Sequence, residues 1–134
     1  MLSKVDRALF VQQQALGLRA HRQQVLASNI ANADTPHYKA KDFDFASALR
    51  DALVADGQGS LAMTVSSPRH LPGHQDAGSP RLLYRQPVQP SADGSTVEMD
   101  VESAQLAENS FHYEAGISFL TQQIRTLQAA LQAQ

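Results

Sequence analysis

Cysteine is absent from the 134-residue chain, which excludes disulfide bridges, thiolate metal sites and cysteine nucleophiles. Long hydrophobic runs are missing as well. Near the N-terminus the longest uninterrupted apolar run is Ala8 to Val11, which is shorter than the apolar core of a secretory signal. No stretch approaches the roughly 20 apolar residues of a transmembrane helix. We therefore expect a protein that does not insert into membranes and, if it leaves the cytoplasm, does so without a cleaved signal peptide.

An excess of charge of either sign is also lacking. The chain has 11 Lys plus Arg against 13 Asp plus Glu, a formal net charge of −2. A nearly balanced surface has no general electrostatic attraction for nucleic acid or for an anionic membrane. We expect neither as a partner.

Motifs of catalysis and cofactor binding are absent from the sequence. It has no Gly-x-Ser-x-Gly, Walker or dinucleotide-binding glycine pattern. His70 and His74 have the spacing closest to a metal-binding pair, but Pro72 and Gly73 break the helix that would align them. We interpret both histidines as exposed loop residues, and predict no catalytic residue, no cofactor, no metal site and no enzymatic activity.

Glycine and proline are scarce at both ends of the chain and frequent in the middle. Between residues 57 and 96 they make up ten of forty residues, including five of the six prolines. This distribution predicts a mainly α protein whose long N- and C-terminal helices pair as a coiled coil. A short second helix and an irregular middle separate them. Within the middle, residues 61–65 and 81–84 are candidates for short strands, and disorder of the free monomer is the equal alternative.

The predicted organisation has four segments. They are an N-terminal helix (1–33), a turn with a short amphipathic segment (34–56), the irregular middle (57–96) and a C-terminal coiled-coil helix (97–134). Because the two terminal helices would pack on each other, 1–33 and 97–134 would form one discontinuous domain.

The N-terminal helix has apolar residues on two faces. One row, which repeats every seven residues, comprises Leu2, Leu9, Leu16 and Ile30, with Gln23 interrupting it. A second row, about 200° further round the helix, comprises Val11, Leu18 and Val25. We expect one face to be covered by this chain and the other by something else. The alternative, the central helix of a compact bundle, requires more helices than so short a chain supplies.

The C-terminal helix has a more regular apolar pattern, formed by Leu106, Tyr113, Ile117, Leu120, Ile124, Leu127 and Leu131. From Tyr113 onwards the spacing alternates between four and three, as in a coiled coil. Phe111 and Phe119 lie off this pattern and predict a second contact surface. The free energy gained by burying these seven side chains is smaller than the conformational entropy cost of ordering so long a helix. We therefore expect further contacts from other subunits.

The two apolar heptad rows, Leu2 to Ile30 and Leu106 to Leu131, are together named the assembly seam. Gly17 and Gly116 interrupt the two helices. Each is either a point of close helix approach or a tolerated surface glycine.

A turn follows the first helix. Its residues of interest are Asn29, Ala31, Asn32, Thr35, Pro36, His37 and Tyr38. The helix is expected to end near Asn29 to Asn32, because asparagine tolerates the left-handed conformation and Pro36 forces Thr35 towards an extended one. An amphipathic helix capped at Asp44 is expected next, with Phe43, Phe45, Leu49 and Leu53 on its apolar face.

The stretch SNIANADTPHYKAKDFDFASAL, residues 28–49, resembles the signature of flagellar axial proteins of the rod and hook class. The stretch STVEMDVESAQLAENSFHYEAGISFLTQQIRTLQAAL, residues 95–131, is similar to the C-terminal region of the rod members. His37 stands where the family usually has glycine. If that position requires a positive φ, histidine carries a steric penalty there.

The resemblance implies a structural subunit of the proximal rod of the flagellar basal body. Such proteins polymerise through their terminal helices, transmit torque and continue the export channel. The implied partners are further copies of the chain, other rod subunits, the rod-adapter protein, the MS ring and the flagellar type III export apparatus, which exports rod subunits without a cleaved signal. The alternative is a non-flagellar helical adaptor or export chaperone that holds a partner on the same seam.

Overall fold

The computed structural model describes residues 4–55, 80–87, 89 and 91–132. Within them the chain forms α1 (Lys4–Ala31), β1 (Lys41–Asp42), α2 (Phe45–Ala55), β2 (Leu83–Tyr84) and α3 (Met99–Gln132). The two strands pair antiparallel, with Lys41 opposite Tyr84 and Asp42 opposite Leu83. The predicted mainly helical class is confirmed. Leu2, His70, His74 and the candidate strand at 61–65 lie outside the described residues.

The two long helices α1 and α3 pack against each other in antiparallel orientation. The Asn29 side-chain amide donates to Glu102 Oε2 at 3.1 Å. Six residues earlier in α1, Gln23 Nε2 donates to Ser110 Oγ at 2.8 Å. Earlier positions in α1 thus meet later positions in α3, and the N-terminus of α1 lies beside the C-terminal half of α3.

Gly116 lies at the contact between the two long helices. A Cβ atom added to it would lie 2.9 Å from Leu16 Cδ2, which is closer than such atoms approach in folded proteins. An added Cβ on Gly17 would meet no atom within 4 Å in the described structure. Of the two glycines, Gly116 therefore permits the close approach and Gly17 does not contribute to it.

The second apolar row of α1 is largely covered by this chain. Leu18 is buried in a cluster with Phe43 and Ala48, and Phe45 and Leu49 pack against that cluster. Val25, the next residue of the same row, is also buried. Thus α2 and the residues before it occupy the face of α1 that bears Leu18.

Asp44 caps α2 as predicted. The backbone N–H of Ala46 donates to Asp44 Oδ1 at 3.1 Å, and that of Ser47 donates to Oδ2 at 3.3 Å. These bonds lower the pKa of the exposed Asp44 carboxyl. They also satisfy two of the N–H groups that a helix start leaves without a partner.

The turn after α1 places His37 in the left-handed region, with φ of 60°. For a residue with a side chain this conformation costs about 1 kcal/mol or more. The backbone N–H of His37 donates to the carbonyl of Asp93 at 3.2 Å. A Cβ added to Gly94, whose φ is 72°, would lie 2.8 Å from His37 Nδ1. Gly94 thus leaves room for the His37 imidazole.

Candidate assembly surfaces

Asn29, in the turn motif, joins three elements through its side chain. Its Oδ1 accepts the backbone N–H of Lys41 at 3.1 Å, and its Nδ2 donates to the Lys41 carbonyl at 2.8 Å. The same Nδ2 donates to Glu102 in α3. The carboxamide is buried and occupies the place that a neighbouring strand would take beside β1.

Arg85 follows β2 and ties the sheet to α3. Its Nη1 lies 2.6 Å from Glu102 Oε1, and its Nη2 lies 2.6 Å from Asp42 Oδ2. The same Nη2 also donates to Gln105 Oε1 at 2.6 Å. Because Glu102 is fully buried, its carboxylate depends on these partners for the solvation it has lost.

Arg22 brings α1 into the same network. It binds Asp42 through two bonds, Nε to Oδ1 at 3.1 Å and Nη2 to Oδ2 at 2.8 Å. Burial alone would raise the pKa of Asp42, but hydrogen bonds from Arg22, the Phe43 N–H and Arg85 outweigh it and hold the pKa below its ordinary value. We name Arg22, Asn29, Asp42, Arg85 and Glu102 the polar junction. Its two cations balance its two anions.

The assembly seam divides into two rows on α3. Leu106, Tyr113, Leu120 and Leu127, at every seventh position, are partly buried. Ile117, Ile124 and Leu131, the other heptad position, remain 43, 41 and 78% exposed. The residues of α3 that contact α1 are instead those of another heptad position, Glu102, Asn109 and Gly116. We name Ile117, Ile124 and Leu131 the outer row.

Comparisons with known proteins match this chain to one family. The family described as flagella basal body rod protein matches residues 9–39. The flagellar basal body rod protein FlgB of Salmonella typhimurium is 49% identical, over 98% of both chains. FlgB of Escherichia coli is 48% identical over 99% of both, and a Cereibacter sphaeroides FlgB is 44% identical over 94% of both.

The chain belongs to the FlgB family of flagellar basal body rod proteins. It is a structural component of the rod and not an enzyme, as the sequence predicted. The adaptor or chaperone alternative is not favoured, because the FlgB relatives match over almost the whole chain.

The residues of the FlgB-like turn differ in their surroundings. Asn29 is buried, Asn32 and Tyr38 are partly buried, and Ala31, Thr35, Pro36 and His37 are exposed. Asn32 closes the helix end, since its side-chain amide donates to the Ser28 carbonyl at 2.8 Å. The Tyr38 carbonyl accepts the N–H of Thr96 at 3.0 Å. The turn is therefore held by the segment that leads into α3.

The remaining predicted surface residues lie on both sides of the helix pair. On α1, Leu9, Leu16 and Ile30 are partly buried, Leu18 and Val25 are buried, and Val11 is exposed. On α3, Phe111 and Phe119 are both exposed. Phe119 borders a groove of about 260 Å³ between the two helices, which is also lined by Gln12, Leu16 and Gly116.

The polar junction was not predicted from the sequence, apart from Asn29 as a turn residue. Arg22, Asp42 and Arg85 lie 20 and 43 residues apart along the chain, and no local spacing connects them. One signal was available for Glu102. It lies one heptad before Asn109, so two polar residues share a face of a helix that must be buried.

Groups that would suggest other activities are not found in the described part of the chain. No three or more His, Asp and Glu side chains come together there as metal ligands. No helix in that part has the length and apolarity needed to cross a membrane.

Proposed function

We propose that this chain is a proximal-rod subunit that polymerises through its terminal helices, transmits torque and continues the export channel. The observation that carries the proposal is its 49% identity, over 98% of both chains, with a named rod protein. A relationship that spans the whole chain includes both helices that would assemble.

The geometry of α1 and α3 supports a coiled-coil pairing within one discontinuous domain of residues 1–33 and 97–134. The contact positions on α3 recur with heptad spacing, one heptad through Glu102, Asn109 and Gly116 and the other through Leu106, Tyr113, Leu120 and Leu127. That spacing is the one a left-handed helix pair requires.

The apolar residues left exposed support contacts with neighbours. The outer row, Phe111 and Phe119 expose large apolar side chains along α3, and such groups mark association surfaces. We propose that they face further copies, other rod subunits, and at the rod base the adapter protein and the MS ring. The chain would reach that place through the type III export apparatus, without a cleaved signal.

Deletion of the gene tests the proposal directly. Electron microscopy of purified basal bodies is expected to show rings without a rod, and motility is expected to be lost. The intact chain should restore both. Complete rods in motile deletion cells would contradict the proposal.

Two substitutions in the rescuing chain test the helix pairing. Leu120→Asp places a charge in the partly buried row, and it should prevent incorporation into basal bodies. Gln122→Asp places the same charge on an exposed position of α3 away from the outer row, and it should be tolerated. Normal incorporation of the Leu120→Asp chain would show that this row is not needed for assembly.

A further inference from the structure

The two edges of the small sheet differ. The backbone N–H of Arg85 donates to the carbonyl of Ala40 at 2.9 Å, and Lys41 lies opposite Tyr84. In an antiparallel ladder these two facts make Lys41 and Tyr84 a non-hydrogen-bonded pair, in which the N–H and C=O of both residues point away from the partner strand. Each edge of the sheet therefore presents one donor and one acceptor at this position.

The edge at β1 is closed and the edge at β2 is open. Asn29 binds both outward groups of Lys41 with its carboxamide. The outward groups of Tyr84 have no hydrogen-bond partner among the described residues, and its side chain is 71% exposed. An unpaired strand edge is a template for pairing with a further strand. Among the described residues, the outward groups of Tyr84 are those left for a third strand, because Asn29 occupies those of Lys41.

The open edge is held in place by Arg85, the residue after Tyr84. Side chains alternate along a strand, so Leu83 and Arg85 lie on the face of Asp42, while Leu82 and Tyr84 lie on the opposite face. Arg85 is fixed by Asp42, Glu102 and Gln105. An edge fixed in extended form loses little conformational entropy when a partner binds.

The charges around the edge indicate the chemistry of its occupant. Lys41 Nζ lies 5.7 Å from the centre of the Tyr84 ring, and Arg81 is exposed three residues before Tyr84. Within the described residues neither cation has an ion-pair partner. Leu82 and Tyr84 add exposed apolar surface beside them. This combination suits an extended segment with carboxylate and apolar side chains.

We propose that the open edge of β2 binds an extended acidic segment of a neighbouring rod subunit as a third strand. The proposal rests on the proposed function, because the neighbour is present only in the assembled rod. The main-chain bonds provide affinity, and the flanking cations select the segment.

Proline at the edge tests the proposal. Tyr84→Pro removes the outward N–H but no bond to β1, so the chain should fold as before. Tyr84→Thr keeps the N–H and loses the ring. Incorporation into basal bodies should be at least about tenfold lower for Tyr84→Pro than for Tyr84→Thr, with equal helix content and unfolding midpoints in the purified chains. Equal incorporation would overturn the proposal.

Charge reversal and hydrogen exchange are two further tests of the third strand. Arg81→Glu should reduce incorporation, whereas Arg50→Glu, at another exposed position, on α2, should not.

The Tyr84 amide should exchange rapidly in the free chain and slowly in purified rods. Rapid exchange in rods would overturn the third strand while leaving the rod function intact. Absence of the unmodified chain from rods would overturn both proposals.

Discussion

The two ends of the helix pair differ in how much of their surface this chain covers. Where α1 ends and α3 begins, the turn, both strands and both helices meet around the polar junction, and the buried carboxylate of Glu102 has all its partners in the same chain. At the other end Val11, Phe119 and the outer row are exposed. At the first end the buried ions are paired within the chain, and at the second end apolar side chains of both helices stay exposed for assembly.

The difference follows from what each end buries. Buried ions need partners at fixed positions, and breaking one partnership leaves an uncompensated charge. Apolar side chains need only to be removed from water, and a neighbouring subunit does this as well as the same chain. A rod subunit can therefore leave apolar surface exposed until it assembles, but its buried ions have to be paired within the chain.

Glu102→Ala should give the largest loss of stability. It leaves Arg85 without its buried partner and removes an acceptor from Asn29, at a cost of about 3–5 kcal/mol. Urea unfolding followed by circular dichroism measures the effect. Glu108→Ala, on the exposed side of the same helix, is the control and should change stability by less than about 0.5 kcal/mol. Equal midpoints for the two variants would show that the junction does not stabilise its end of the pair.

The two helix glycines should respond in opposite directions. Gly116→Val forces atoms against Leu16, whose Cδ2 would lie 2.9 Å from the new Cβ, and overpacking of this kind costs about 1–3 kcal/mol. Gly17→Ala meets no atom within 4 Å and should add about 1 kcal/mol through helix propensity. Thermal unfolding compares both with the unmodified chain. An unfolding temperature of Gly116→Val equal to that of the unmodified chain would mean that the two helices can move apart at this contact without loss of stability.

Acid should weaken the polar junction. The pKa of Asp42 in the folded chain lies below its ordinary value. Its contribution to stability is therefore complete above the unfolded pKa of about 3.9 and is lost as the pH falls through the folded value. Urea midpoints between neutral pH and about pH 3 should fall less for Asp42→Asn than for the unmodified chain. Asp34→Asn, in the exposed turn, should keep the original slope.

Ile124→Ser should have the smallest effect on the isolated chain. Ile124 is 41% exposed, so its loss should cost less than about 1 kcal/mol. Incorporation into rods should fall clearly, because the apolar end is completed there. Gln122→Ser, on the exposed side of α3, should leave both measurements unchanged. If the two variants incorporate equally well, the outer row is not an assembly contact.

The helices and the Asp44 cap were predictable because their causes are local. Heptad spacing, the scarcity of glycine and proline at both ends, and a carboxylate just before an apolar helix all act over a few residues. The exposure of the outer row could not be predicted from the sequence spacing. Sequence spacing groups Ile117 and Ile124 with Leu120 in one seam, but the close approach at Gly116 turns a different heptad towards α1.

Sequence alone therefore established the mainly helical class, the apolar rows and the family resemblance, because propensity, periodicity and motif letters can be read along the chain. Tertiary structure decided which row meets α1, how Arg22, Asp42, Arg85 and Glu102 find one another, and which sheet edge Asn29 closes. These depend on distances between segments far apart in the chain. Such distances are set only when the helices pack, because packing buries the charged groups and a buried charge is stable only beside an opposite charge.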